Sequence, residues 1–218
     1  MGFSNDAPVS GKFINLKKGK LIAQVEGERK EFNSFTGFVN EIDIVTKNYN
    51  AKDYEAIVLH LSDPDDGKAY EMAFDISSGY ANAFCCISPN IDFKLALTIS
   101  GGTEKLENGN EYGKLFIAQG GNPLKWYFSK SSGHQLPEPE VKTDRNGTYK
   151  DYAARIAYFK KLITEKIRPL VLAAVKYRNA ENATAEPDNK KQGFKETKKG
   201  KTSKSEDTFT PAVDDLPF

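Results

Sequence analysis

Lysines interleaved with aromatic rings are the main chemical resource of this chain. Lys114-Leu115-Phe116 and Lys125-Trp126-Tyr127-Phe128 alternate charge and ring within a few residues. Tyr49 and Tyr54 bracket a polar loop, with His60 further along the Tyr54 strand, and Lys17, Lys18 and Lys20 crowd one turn. A ring offers its face to any base, each stack contributing ~1–3 kcal/mol, and a lysine offers charge to a phosphate. These residues therefore point to sequence-tolerant binding of a single nucleic-acid strand. Phe74, Phe93 and Phe128 read as core, whereas Trp126, Tyr127, Phe116 and Tyr54 suit stacking and core equally. In a strand Trp126 and Tyr127 point opposite ways, so at most one of them stacks.

Bond-making chemistry finds little support. His60 and His134 are the two histidines, and Cys85 and Cys86 the two cysteines. Neither pair has metal-ligand spacing, and nothing nominates a nucleophile or general base, so no enzyme, cofactor or metal is expected. Gly200-Lys201-Thr202 resembles the end of a phosphate loop, but Lys195 stands where the first Gly belongs. The carboxylates of 63–66 lack the spacing of a calcium loop. Adjacent cysteines make a poor staple, which suits a reducing, cytoplasmic setting. The polar start lacks the apolar stretch of a secretory signal, and no run of eighteen apolar residues predicts a membrane span.

The end of the chain is more specific. Asp214-Asp215-Leu216-Pro217-Phe218 joins an acidic pair, an aliphatic residue, a proline and a terminal phenylalanine. Such an anchor fits a partner with a basic-rimmed apolar pocket. It resembles the acidic tip of bacterial single-stranded DNA-binding proteins, which end in Asp-Asp-Asp-Ile-Pro-Phe or close variants, with Leu216 in place of the usual Ile. The body departs from the bacterial protein. It is more similar to single-stranded DNA-binding proteins of bacteriophages, over Phe84 to Phe93 and Gly113 to Lys130. The resemblance implies a barrel that coats single-stranded DNA. It also implies a tip that docks replication or recombination proteins (polymerase, primase, helicase or nuclease) and competes weakly for the DNA groove.

The elements that would position these residues follow from alternation. Phe13–Val25 reads as a hairpin across the basic turn, and Phe35–Thr46 as a strand. Residues 49–53 read as a polar loop. Tyr54–Leu61 and Lys68–Ile76 alternate clearly on either side of the turn at 63–67. Tyr80–Ile87 suits a short helix stopped by Pro89. Phe93–Ile99 reads as a strand, 101–113 as a Gly-rich excursion, and Lys114–Gln119 with Leu124–Phe128 as a last hairpin. Residues 133–147 read as a linker. A capping box at Thr148-Tyr149-Lys150-Asp151 opens an amphipathic helix whose face is Tyr152, Ile156, Phe159, Ile163, Ile167, Leu170 and Ala174, with Pro169 kinking or splitting it.

The expected fold is mainly β. The order predicts an OB-fold-like five-stranded Greek-key barrel with a short helix between strands 3 and 4, then a C-terminal helix and a disordered tail. A small mixed β barrel or sandwich is the alternative. The boundaries are 1–132 for the barrel with its N-terminal hairpin, 133–147 for the linker, 148–180 for the helix and 181–218 for the tail. The helix packs on its own barrel, on a neighbour or along DNA.

The 218 residues carry a net charge of +1, which at first argues against a nucleic-acid binder. Resolved along the chain, it is a cancellation: basic segments at 12–30 and 150–178, an acidic stretch at 41–75, and a tail that is basic over 188–204 and then acidic. Opposite-sign blocks suit an interaction tail as well as a solubilising one. The function this predicts is a non-enzymatic protein that coats single-stranded DNA during replication, recombination or repair and recruits enzymes through its tip. A recruitment adaptor or recombination mediator with weak DNA binding is the alternative, and an RNA chaperone a more distant one.

Overall fold

The computed structural model describes residues 12–25, 28–105, 109, 111–129, 131–145 and 147–184. The expected basic hairpin forms as β1 (Lys12–Lys17) and β2 (Lys20–Val25), joined by Lys18 and Gly19 at φ 49° and 73°. Positive φ at both turn residues gives the twist that a two-residue hairpin requires. β3 (Glu28–Phe32) follows, then β4 (Ser34–Tyr49), which is 16 residues long. β5 (Lys52–Ser62) returns directly from β4. The polar loop expected over 49–53 is another two-residue turn, Asn50-Ala51, at φ 51° and 59°. After the turn at 63–67, where Gly67 has φ 67°, β6 (Ala69–Asp75) completes the meander.

These strands read as alternating because one face of each meets the core. Ile42, Leu59 and Met72 form a cross-strand row, continued by Ile14 of β1, and all four are buried. The short helix α1 (Gly79–Ile87) starts at Ser78, whose hydroxyl accepts from the Ala81 N–H at 3.2 Å. Its apolar residues enter the same core, and a single 3₁₀ turn containing Pro89 ends it.

β7 is Leu97–Lys105 and β8 is Glu111–Gln119. The strand expected from Phe93 thus begins four residues later, and Leu95 is exposed. The supposed Gly-rich excursion is largely paired strand, with Gly101 opposite Leu115 and Gly102 opposite Lys114. β9 is only Asn122–Pro123. The nine strands form one mixed sheet in the order β3-β2-β1-β6-β5-β4-β7-β8-β9, with β1 parallel to β6 and the other pairs antiparallel. α1 therefore follows the sixth strand, not the third, because the N-terminal hairpin and β3 belong to the same sheet. The order is linear, with β3 and β9 as its ends.

The segment 133–147, expected to be a linker, carries β10 (Glu140–Asp144) and the start of β11 (Gly147–Asp151), an antiparallel hairpin. Thr148 accordingly lies in a strand and opens no helix. The helix begins with α2 (Ala153–Lys161), and the Asp151 carboxylate accepts the Ala153 N–H at 2.9 Å. A π-helical turn (Leu162–Ile167) joins α2 to α3 (Arg168–Thr184). Pro169 has no N–H, and its ring would clash with the carbonyl four residues earlier in a regular helix; widening the turn before it relieves that clash. The extra residue shifts the buried face. Phe159, Ile163, Ile167, Val171 and Ala174 are buried, whereas the expected Leu170 is half exposed at 50%.

This helix packs on its own sheet and shares its core. It runs along the outer edge of β4, which β7 pairs only over Ser34–Gly37. Arg168 Nε donates to the Ile42 carbonyl at 3.0 Å, and Arg178 donates to the carbonyls of Val39 and Phe93. Unpaired strand carbonyls are thereby satisfied by side chains. Burial lowers the pKa of Arg178, though far too little to neutralise a guanidinium. Among the described residues no helix is long and apolar enough to cross a membrane.

Candidate nucleic-acid interface

Leu124–Phe128 does not form the expected strand. Leu124 N–H donates to the Ile117 carbonyl at 2.8 Å, and the chain then turns to α1, where Tyr127 N–H donates to the Cys86 carbonyl at 2.7 Å. Asn90 Nδ2 holds the Lys125 carbonyl at 3.0 Å. With its backbone groups satisfied by the end of α1, this segment sends successive side chains to different places. Phe128 is core. Tyr127 stacks on His134 with centroids 4.1 Å apart and planes 11° apart. Trp126 lines a cavity of about 290 Å³ bounded by the start of α1, β8, α2 and the β10–β11 hairpin. Lys125 is exposed and does not line it.

Four rings and three cations line this cavity: Tyr112, Trp126, Tyr152 and Phe159 with Lys114, Lys150 and Arg155. Lys114 is partly neutralised, its Nζ 2.8 Å from Glu104 Oε2. Arg155 Nε donates to the Pro137 carbonyl at 3.1 Å, and its guanidinium carbon lies 5.4 Å from the Tyr152 ring centroid. Burial raises the Tyr112 phenol above its usual range, so it stays protonated and can donate. Asn82 also lines the cavity, and its buried Oδ1 has no hydrogen-bond partner. Of these residues only Lys114 and Trp126 were singled out in the sequence. In the sequence Tyr112 sits within the apparent Gly-rich excursion, and the helical period places Tyr152 and Phe159 on one helix face. Lys150 and Arg155 were visible only as part of the basic segment 150–178.

A second cluster surrounds the β1–β2 turn. Lys17, Lys18 and Lys20 are exposed there, with Lys20 Nζ 2.7 Å from Asn33 Oδ1. Gly19 N–H donates to the Tyr80 hydroxyl at 3.2 Å. The turn lies directly on β7: a Cβ added at Gly19 would sit 2.7 Å from the Gly102 carbonyl carbon, and one added at Gly102 would sit 2.8 Å from the Phe116 ring. The basic turn and Phe116 thus share one neighbour, Gly102.

His60 and Tyr54 stand elsewhere. His60 Nε2 is 3.9 Å from Asp43 Oδ2, and Glu41 completes a group whose ligand atoms lie within 4.8 Å of one another. Arg168 already engages Asp43, so the cluster has its counter-charge. Tyr54 faces Lys47 across the ladder, and Lys47 Nζ is 3.1 Å from Glu71 Oε1. This carboxylate-rich face offers a phosphate little attraction. Tyr49 ends β4, but its side chain, like Asp214, Asp215, Leu216, Pro217 and Phe218, lies outside the described residues.

Cys85 and Cys86 are buried free thiols. Burial pushes Cys86 up to about 12 and raises Cys85 as well, which leaves neither with the thiolate character of a reactive cysteine. No family model, curated protein or solved structure matches this chain.

Proposed function

We propose that this protein binds single-stranded DNA without strong sequence preference, as a non-enzymatic coating protein in replication, recombination or repair. In this reading it works in the cytoplasm, a bacterial host's if the protein is phage-encoded. The observation that carries the reading is the gathering of four aromatic rings and three cations around one cavity from separate elements of the fold. Rings for stacking and cations for phosphates are what strand binding needs. The basic β1–β2 turn with Phe116 supplies a second contact area. Strand order supports an OB-like core within the larger sheet: β4, β5 and β6 form a meander, α1 follows, and β7 and β8 return with β7 on β4. Asp214 to Phe218 then recruit partner enzymes such as a polymerase, primase, helicase or nuclease.

Trp126 is the one tryptophan of the chain, so its fluorescence reports on the cavity. Titration with oligo-dT should quench it, with affinity well above that for duplex and falling as salt rises. No quenching, or equal affinity for duplex, would count against strand binding. The carboxylate-rich face around Glu41, Asp43 and Glu71 favours a second reading, an adaptor or recombination mediator with weak DNA binding. Deleting residues 214–218 separates the two. A coating protein keeps or gains DNA affinity, whereas an adaptor loses its partners and with them its activity.

A further inference from the structure

We propose that the cavity between α1, α2 and the β10–β11 hairpin is a nucleotide pocket. It takes one base with its phosphate, from a strand end or a base turned out of the strand, rather than a run of nucleotides. This deepens the strand-binding reading and rests on it for the class of ligand.

About 290 Å³ lies at the lower end of small-ligand pockets and suits a single nucleotide. The path that tracks the rest of the strand's backbone must be open along its length, so it lies outside the cavity. Ser78 and Asn82 come from the start of α1, Lys114 from β8, Trp126 from the crossing segment, Lys150 from β11 and Arg155 from α2. Walls drawn from five separate segments make a concave site, partly open to solvent.

The lining divides by chemistry in the way a nucleotide does. Trp126, Tyr112 and Tyr152 offer aromatic surface for a base, backed by the apolar side chains of Ile76 and Phe159. Lys150 and Arg155 offer positive charge to a phosphate, with Lys114 held back by Glu104. Asn82 supplies the edge contact. Its Oδ1 is buried and unpartnered, so a turn of the side chain toward the cavity gains a hydrogen bond from a ligand N–H. Bases carry such donors, whereas a sugar phosphate alone offers hydroxyls and charge.

The test uses the full chain and follows Trp126 fluorescence with dAMP, dCMP, dGMP, dTMP, deoxyribose 5-phosphate and inorganic phosphate. Saturable quenching by mononucleotides is expected, with deoxyribose 5-phosphate and phosphate much weaker. Lys150→Ala, a change at an exposed strand residue, should weaken mononucleotide binding about tenfold, as should Arg155→Ala. Asn82→Ala should weaken nucleotides but not deoxyribose 5-phosphate. The double change Lys17→Ala/Lys18→Ala should leave mononucleotides unaffected. No saturable response to any mononucleotide, or equal competition by inorganic phosphate, overturns the pocket. So does an unchanged affinity in a folded Lys150→Ala protein. If oligo-dT still binds in those cases, strand binding stands without the pocket. Mononucleotide binding without oligo-dT binding supports the pocket and removes strand coating.

Discussion

Ala51 occupies the second position of the β4–β5 turn at φ 59°, a left-handed conformation that a Cβ penalises. Asn50-Ala51 is a disguised Asn-Gly turn, which is why the sequence reads as a loop there. Ala51→Gly should stabilise the protein by ~1 kcal/mol, measured as a higher urea midpoint with unchanged slope. Gly79 answers to space instead. A Cβ there would sit 2.2 Å from the Gly113 carbonyl oxygen and 2.7 Å from the Tyr112 ring, so Gly79→Ala should destabilise by ~1–3 kcal/mol and disturb the cavity wall. The buried cysteines set an alkaline limit. Below their ordinary value of 9.0 both states keep the thiol protons. As pH rises from there toward about 12, the unfolded chain releases protons that the folded chain retains. Stability therefore falls across that window, by ~1.4 kcal/mol per pH unit for each such thiol. Cys85→Ala/Cys86→Ala should flatten the decline in urea titrations between pH 9 and 11.

The strands β4, β5 and β6 and the helix α1 are legible because each carries a plain local signal, two-residue alternation or a proline stop, even though β5 is buried on both faces over 56–59. β7 was misread because Gly101 and Gly102 suggest a loop. Here they lack side chains so that the β1–β2 turn and the Phe116 ring can lie against the strand. The β10–β11 hairpin escaped notice because its residues are almost all exposed and show no alternation. The π-helical turn escaped because a regular period places Leu170 inward where Val171 stands. Its cause can be tested. Deleting Thr164, an exposed residue of that turn, turns the buried spacing from 4-4-4-3 into 4-3-4-3, which a regular helix accepts. Alone, the deletion should cost roughly 3 kcal/mol or more, because the proline then sits in an unbroken α-helix. Combined with Pro169→Ala, it should return close to wild-type stability. Additive losses in thermal unfolding would sink this account of the turn.

Cations are distributed unevenly over the folded protein. The cavity and the β1–β2 turn carry six described lysines and arginines, whereas the outer face of β4–β6 carries Glu41, Asp43 and Glu71, balanced in part by Lys47 and Arg168. The near-zero net charge conceals this division, and the fold makes it spatial. If the five other than Lys114, which Glu104 holds, reach phosphates, log affinity for oligo-dT should fall with log salt at a slope of about −3.5, and each lysine removed should reduce it by ~0.7. Filter-binding at several salt concentrations measures both; a slope near zero would remove electrostatics from binding. The cavity was poorly legible because its parts meet only through tertiary structure. Trp126 and Lys114 announced themselves beside other rings and charges, but Tyr112, Tyr152 and Asn82 matter through enclosure, which no local pattern records. The long strand β4 depends on the end of the chain for its protection. Its outer edge beyond Gly37 is capped by a helix that arrives more than a hundred residues later in the chain. Until that helix is present, the carbonyls of Val39 and Ile42 stand open to any passing strand. A chain cut after β11, or one emerging unfinished from the ribosome, therefore exposes a template for aggregation. The intact chain carries its own protection in Arg168 and Arg178.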